Sequence, residues 1–143
     1  MRRSCLHVVW SLMWLSVASA QDASNPSERT LLDRIYFDVS ATSLSADARA
    51  TLDAVATVLH REAETVVHLA GHTDPSGRRW ANVLLSRARA EAAKAYLVSL
   101  GVSSDRVSTA GHGSAVPIDP TPARNRRVDV YVIRAARTEA HQK

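Results

Sequence analysis

The chain contains little that could cross-link it covalently or bind a metal through sulfur. Among its 143 residues there is one cysteine, Cys5, in the N-terminal segment. Arginine supplies nearly all of the basic charge, since Lys94 and Lys143 are the only lysines. The apolar stretch at residues 6–17 is shorter than the roughly 20 residues that a transmembrane helix needs. The composition therefore excludes a disulfide scaffold and argues against an integral membrane span.

The first twenty residues have the order of a secretory signal peptide. Arg2 and Arg3 precede the apolar stretch, and the small residues 18–20 precede Gln21. We predict cleavage after Ala20 and an exported mature chain with no cysteine; an uncleaved anchor is the alternative. Arg2 and Arg3 account for half of the net charge of +4. A nucleic-acid partner is therefore not expected.

One globular domain is predicted for the rest of the chain. Residues 21–30 are polar and are interpreted as a linker, residues 31–133 as the domain, and residues 134–143 as a polar tail. Strands are predicted at 33–39, 65–71, 106–111 and 127–133, and helices from a cap at Ser43 or Ser45 to about 62 and over 79–100. This β-α-β-α-β-β order predicts an α/β fold, an α+β sandwich with its helices packed on one mixed four-stranded sheet.

The second predicted helix carries an arginine that is a candidate for function. Its periodicity predicts a buried stripe formed by Leu85, Ala88, Ala92 and Ala95. Arg87 and Glu91 would then form a solvated pair one turn apart. Arg89 points to a different side from Arg87 and is free to reach back over the edge of the sheet.

The segment Gly71–Gly77 leaves a strand and enters that helix. Two glycines expose backbone N–H groups at a helix N-terminus, where anions are favoured, and Asp74 adds a carboxylate. If Asp74 and Arg89 converge, they offer an acceptor for an ammonium beside a planar fork for a carboxylate, which is a receptor for a zwitterion. Taken alone, two such residues form a structural ion pair or a helix cap more often than a ligand site.

Five motif blocks resemble the OmpA-like peptidoglycan-binding domain, the family of OmpA C-terminal domains, Pal and MotB. The blocks are Gly71-His72-Thr73-Asp74-x-x-Gly77, Asn82-x-x-Leu85-Ser86-x-x-Arg89-Ala90, Tyr96-Leu97-x-x-x-Gly101-Val102, Gly111-x-Gly113-x-x-x-Pro117 and Asn125-Arg126-Arg127-Val128. They occur in the family's order and cover residues 35–133. This number of ordered blocks makes the resemblance specific.

The resemblance implies a non-enzymatic domain that binds peptidoglycan through the meso-diaminopimelate of the peptide stem. It implies a periplasmic location, a role in envelope organisation or anchoring, and neither cofactor nor metal. Asp74 would accept the ammonium with help from Asp38, and Arg89 would bind the carboxylate. Thr73 and Asn82 would line the site, together with one of Arg126 and Arg127. Strand alternation sends only one of these two arginines there, and Arg126 is favoured.

Two departures from the family pattern keep other interpretations open. Ala81 stands where the family has a tyrosine, and residues 117–125 form a shorter loop beside the site. An envelope interaction domain without ligand binding is one alternative, and an envelope protein partner is left open. A peptidoglycan hydrolase using Asp38 and Asp74 is another, although Arg89 would hold both carboxylates ionised. His68 and His72 diverge in a strand, so no zinc site is expected.

We also expect the side chains of Asp74 and Arg89 to be partly exposed. On that expectation, alanine at either position weakens binding with little loss of folding.

Overall fold

The computed structural model describes residues 28–134 and contains the predicted strands and helices in the predicted order, with one additional turn of α-helix and a 3-10 turn. The elements are β1 (Glu28–Tyr36), α1 (Ala46–Arg61), β2 (Thr65–Gly71), α2 (Arg79–Ser99), a 3-10 turn (Ser104–Arg106), β3 (Val107–Gly111), α3 (Pro122–Asn125) and β4 (Arg127–Arg134). The additional turn, α3, forms in the segment predicted to be irregular. Pro122 is its first residue, a position where proline costs no helical hydrogen bond.

The strands form one sheet in the order β1-β4-β2-β3. β4 is antiparallel to both of its neighbours, whereas β2 and β3 are parallel. The predicted mixed four-stranded sheet is therefore confirmed. β1 starts at Glu28, inside the segment interpreted as a linker, because β4 continues to Arg134 and pairs with it there.

The core lies between the helices and one face of this sheet. Val128, Val130 and Val132 of β4 are buried on that face, as their alternation predicts. α1 covers part of it with Leu52, Val55, Ala56 and Leu59, whose i, i+3, i+4 and i+7 spacing predicts one face of a helix. The helix begins after Ser45, whose hydroxyl accepts a hydrogen bond from the backbone N–H of Ala48 at 3.1 Å.

α2 turns a different face to the sheet from the one predicted. Its buried residues are Asn82, Ser86, Arg89, Ala90, Ala93 and Leu97, whereas Ala88 and Ala95 are exposed. The predicted stripe is wrong because it counted only apolar residues, and half of the observed stripe is polar. Glu91 also differs from the prediction: it accepts a hydrogen bond from the hydroxyl of Thr109 at 2.5 Å instead of pairing with Arg87.

Two paired glycines let α2 lie directly on the ends of β2 and β3. Gly71 and Gly111 are register partners. A Cβ at Gly71 would lie 1.9 Å from the carbonyl oxygen of Ser86, and one at Gly111 would lie 2.7 Å from that of Val83. Only glycine permits this approach of two backbones. The polar residues of α2 are thereby held against the carboxyl ends of the strands.

The opposite face of the sheet carries a buried ionic cluster around Asp129. Arg127 donates from Nε to Oδ1 at 2.9 Å and from Nη2 to Oδ2 at 3.2 Å. Nε of Arg34 lies 3.1 Å from Oδ1, and Nε2 of His72 lies 3.4 Å from Oδ2. Arg127 also donates to the carbonyl of Val116, in the loop after β3.

Candidate functional site at the end of the sheet

Asp74 lies in the loop between β2 and α2, and its own turn fixes its carboxylate. Oδ1 accepts hydrogen bonds from the backbone N–H of Ser76 at 2.9 Å and from the Ser76 hydroxyl. Asn82 holds the same loop from the first turn of α2, donating to the carbonyl of Ser76 at 2.8 Å. Among residues 28–134, Oδ2 has one polar contact, with Nη1 of Arg126 at 3.4 Å. A carboxylate has about four acceptor positions, so Asp74 retains capacity for a further donor.

Arg89 is fully buried and connects two loops through their backbones. It donates from Nε to the carbonyl of Ala41 at 2.9 Å, from Nη2 to that of Asp38 at 3.0 Å, and from Nη1 to that of His72 at 3.2 Å. Its guanidinium carbon lies 5.3 Å from the ring centroid of Phe37. A guanidinium has five N–H groups, so three bonds leave two of them for another acceptor.

The structure places Arg126 at Asp74 and directs Arg127 to the other face of the sheet. Arg126 also donates from Nε to the carbonyl of Phe37 at 3.1 Å, which ties it to the end of β1. Asp74, Arg89 and Arg126 therefore meet at one end of the sheet, where the β1–α1 loop, the β2–α2 loop and the start of β4 come together.

The other residues expected at the site, Asp38, Thr73 and Asn82, differ in exposure and in hydrogen bonding. Asp38 is exposed and lines a groove of about 520 Å³, together with Tyr36, Phe37, Ser43, Leu44, Ser45, Ala123, Arg124 and Arg126. Thr73 is buried, and its hydroxyl has no hydrogen-bond partner among the described residues. The amide N–H groups of Asn82 donate to the backbone carbonyls of Asp74 and Ser76, so this residue positions the loop that carries Asp74.

The surroundings of Asp74 and Arg89 shift the pKa values of both side chains. Burial opposes ionisation of Asp74, but hydrogen bonds from Ser76 and Arg126 outweigh it and hold the pKa of this carboxyl below its usual value. Burial and the neighbouring Arg126 lower the pKa of Arg89, while the Asp74 charge raises it. An arginine remains protonated under such shifts. The site thus presents an ionised acid that contacts Arg126 and lies near enough to Arg89 to influence its charge.

The exposure expected for the two central residues is wrong. Asp74 is 8% exposed and Arg89 is 0% exposed. Arg89 is enclosed because its side chain supplies donors to three loop carbonyls, which would otherwise be buried without partners. Alanine at position 89 therefore removes loop contacts as well as a candidate ligand contact.

Sequence reasoning missed Ser76 and Arg124. Ser76 bonds to Asp74 through its backbone and its hydroxyl, and Arg124 lines the groove beside Asp38. The spacing of Asp74-Pro75-Ser76 is a signal for the first, because an aspartate often accepts from the backbone two residues on. Arg124 has no such signal, since its position depends on α3.

Searches for two other features of the described residues give negative results. Within residues 28–134, no group of three or more histidine, cysteine, aspartate or glutamate side chains is arranged to hold a metal ion. No helix in the same range is long and apolar enough to cross a membrane.

Comparison with protein families assigns the chain. The model of the OmpA family matches residues 36–130. The chain therefore belongs to the OmpA family, and its domain is non-enzymatic, as predicted.

Individual relatives agree with this assignment. The chain is 42% identical over 86 residues to a peptidoglycan-associated lipoprotein of Rhizobium meliloti, covering 60% of this chain and 49% of that one. It is 36% identical over 104 residues to outer membrane protein A of Bordetella avium, covering 68% and 53%. The chain spans about half the length of these curated relatives.

Solved structures share the fold. The crystal structure of the peptidoglycan-associated lipoprotein from Burkholderia pseudomallei matches with a TM-score of 0.68 and 27% identity, over 71% of this chain and 90% of that one. The C-terminal domain of Helicobacter pylori MotB matches with a TM-score of 0.64 and 20% identity, over 71% and 84%. The second likeness concerns the fold alone.

Proposed function

We propose that this domain binds peptidoglycan non-covalently in the periplasm, through the zwitterionic end of meso-diaminopimelate, and so contributes to the organisation or anchoring of the envelope. The observation that carries the proposal is the meeting of Asp74, Arg89 and Arg126 at one end of the sheet. Similarity to peptidoglycan-associated lipoproteins supports the choice of polymer.

The proposed contacts use the capacity that the fold leaves unused. The ligand ammonium would donate to Oδ2 of Asp74, with Asp38 at the open side of the groove. The ligand carboxylate would accept from the two remaining N–H groups of Arg89, which requires the loops around this side chain to move aside, because it is 0% exposed. The unpartnered hydroxyl of Thr73 is a further polar group beside Asp74, and its burial without a partner is unusual in a folded protein.

The expected affinity for one peptide stem is modest. A hydrogen bond to a charged group contributes about 1.5–3 kcal/mol, and association costs offset part of the sum. Binding of a single stem should therefore be micromolar to millimolar in strength. A polymer that repeats the stem raises the local concentration and retains such a domain.

The first test is sedimentation of the protein with purified sacculi. Asp74→Asn should reduce binding about tenfold or more, because it removes the charge that the ammonium meets. Asp105→Asn is a matched control, since Asp105 also accepts from a serine two residues away, Ser103, but is remote from the site. Unchanged binding by the Asp74 variant would contradict the proposal and favour an interaction domain without this ligand.

A competition experiment tests the chemistry of the ligand. Free meso-diaminopimelate should release the protein from sacculi, whereas lysine blocked at its α-amine and α-carboxyl group, which has an ammonium with no carboxylate beside it, should not. Walls built with lysine should likewise retain the protein poorly. Equal competition by the blocked lysine would eliminate the proposed role of Arg89, and release of soluble wall fragments would show a hydrolase instead.

A further inference from the structure

α2 carries a second, outward apolar surface that the proposed binding of peptidoglycan does not use. Trp80 is 63% exposed, Leu84 60% and Val83 38%, and with Arg79 they line a shallow apolar depression. Their spacing places them on one side of the helix across adjacent turns. We call these three residues the Trp80 patch.

The Trp80 patch and the candidate site lie on opposite sides of the same helix. Trp80 and Arg89 are nine positions apart, and at about 100° per residue this is half a turn from alignment. Val83 lies beside Gly111 and Gly113, at the edge of the sheet formed by β3. Arg89 instead contacts the loop after β1. A partner on the patch would therefore leave the groove at Asp38 open.

The charge around the patch is positive. Arg78 and Arg79 precede Trp80 and Arg87 follows Leu84, and all three are exposed. None of them has an ion-pair partner among residues 28–134. The nearest acid along the helix, Glu91, bonds to Thr109. The fitting occupant thus combines an apolar layer with negative charge.

We infer that the Trp80 patch docks on an anionic phospholipid surface. Three side chains are too few for a stable interface with protein, which buries about 800 Å² on each partner. Tryptophan partitions to the level of lipid headgroups, and each nearby arginine adds attraction to an anionic leaflet. The domain would then face a membrane with one side of α2. If it also binds peptidoglycan as proposed above, it bridges the two.

A reporter at position 80 tests the inference in the full chain. With Trp10→Phe and Trp14→Phe, Trp80 is the sole tryptophan, since the sequence has 3. With vesicles of phosphatidylglycerol and phosphatidylcholine, its emission should shift to the blue and be quenched by brominated acyl chains. Vesicles of phosphatidylcholine alone should give a much weaker response.

A matched reporter separates patch docking from attraction through the N-terminal segment. Val39 is 69% exposed and lies on the ligand side, so Val39→Trp with Trp80→Phe, in the same Trp10→Phe and Trp14→Phe background, places the sole tryptophan away from the membrane. This reporter should remain unquenched with the same vesicles. Arg78→Gln with Arg79→Gln should weaken vesicle binding about tenfold, with the difference decreasing at high salt.

Three results would overturn the inference. One is equal quenching of the two reporters, and another is no quenching of Trp80. The third is a blue shift of Trp80 that needs no vesicles and grows with protein concentration, because a second copy then covers the patch. Asp74→Asn should leave vesicle binding unchanged, so failure on sacculi and failure on vesicles are distinguishable.

Discussion

Two neighbouring arginines, Arg126 and Arg127, point to opposite faces of the sheet and join two ionic clusters of different kinds. Arg127 belongs to the cluster around Asp129, where the acid is surrounded by donors from its own fold. Arg126 belongs to the cluster around Asp74, where the acid has a single 3.4 Å contact with a guanidinium. The protein fills the acceptor positions of Asp129, whereas Asp74 retains acceptor capacity that the described residues do not use.

The pKa of Asp129 shows how complete its surroundings are. Burial opposes its ionisation, yet hydrogen bonds from His72 and Arg127 outweigh this and lower the pKa of the carboxyl to about 2. Nδ1 of His72 and Nη1 of Arg127 have no hydrogen-bond partner among the described residues. Both side chains nevertheless contact the Asp129 carboxylate through another nitrogen atom, so the acid itself is fully surrounded. Thus two buried acids near the same strand differ in the acceptor capacity that the described residues leave free.

The difference between the two clusters predicts that a substitution at Asp129 lowers the unfolding free energy more than one at Asp74. Asp129→Asn should lower the free energy of unfolding by about 3–5 kcal/mol, because Arg127 is left buried without its counter-charge. Asp74→Asn should cost about 1 kcal/mol or less, since its ion pair is long. Urea unfolding of both variants measures the difference. Equal losses would show that the Asp74 cluster is as structural as its neighbour.

Arg89 is bonded to the protein's own backbone, as the Asp129 cluster is, and is also a proposed ligand contact, as Asp74 is. Arg106 provides a matched control for its substitution. Arg106 also donates to backbone carbonyls, those of Glu62 and Thr65, at the other end of the sheet. Lysine retains the positive charge but lacks the planar guanidinium group and its several N–H donors. Arg89→Lys and Arg106→Lys should therefore each lower the unfolding free energy by about 2–3 kcal/mol. Only Arg89→Lys should also reduce sedimentation with sacculi. Loss of binding in both folded variants would mean that general loosening, not a ligand contact, explains the effect.

How far the sequence predicted these clusters depends on where each residue's partners come from. β2, the Ser45 cap and the buried face of α1 follow from local pattern and were predicted. The buried face of α2 was not predicted. Asn82, Ser86 and Arg89 are buried because they form hydrogen bonds with backbone groups of loops, and the periodicity of a helix does not reveal such partners. Alternation separated Arg126 from Arg127, but it gave no sign that Asp129 pairs with Arg34 across the sheet.

Acid should affect the two clusters unequally. The folded pKa of Asp129 is about 2 against 3.8 for an unperturbed carboxyl, so its contribution is present above the unfolded value and is lost as pH falls through the folded one. The amount is about 2 kcal/mol. Unfolding free energies measured between about pH 6 and pH 2 should therefore fall less steeply in Asp129→Asn than in the wild type. An identical pH slope in the two proteins would contradict this assignment.

The smallest predicted effect is on the unfolding free energy of two threonine variants. It tests whether a buried hydroxyl without a hydrogen bond contributes to stability as one with a hydrogen bond does. Thr73 and Thr65 stand near the two ends of β2 and are both buried, but only Thr65 has a partner, Oε2 of Glu62 at 2.8 Å. Thr65→Val should lower the unfolding free energy by about 1 kcal/mol because Glu62 loses a donor. Thr73→Val should leave it unchanged or raise it slightly, since the methyl group replaces a hydroxyl that is buried without a hydrogen bond. If that hydroxyl faces the ligand, the same variant binds sacculi less well while Thr65→Val binds normally. A stability loss at Thr73 as large as at Thr65, with binding intact, would assign its hydroxyl to the fold.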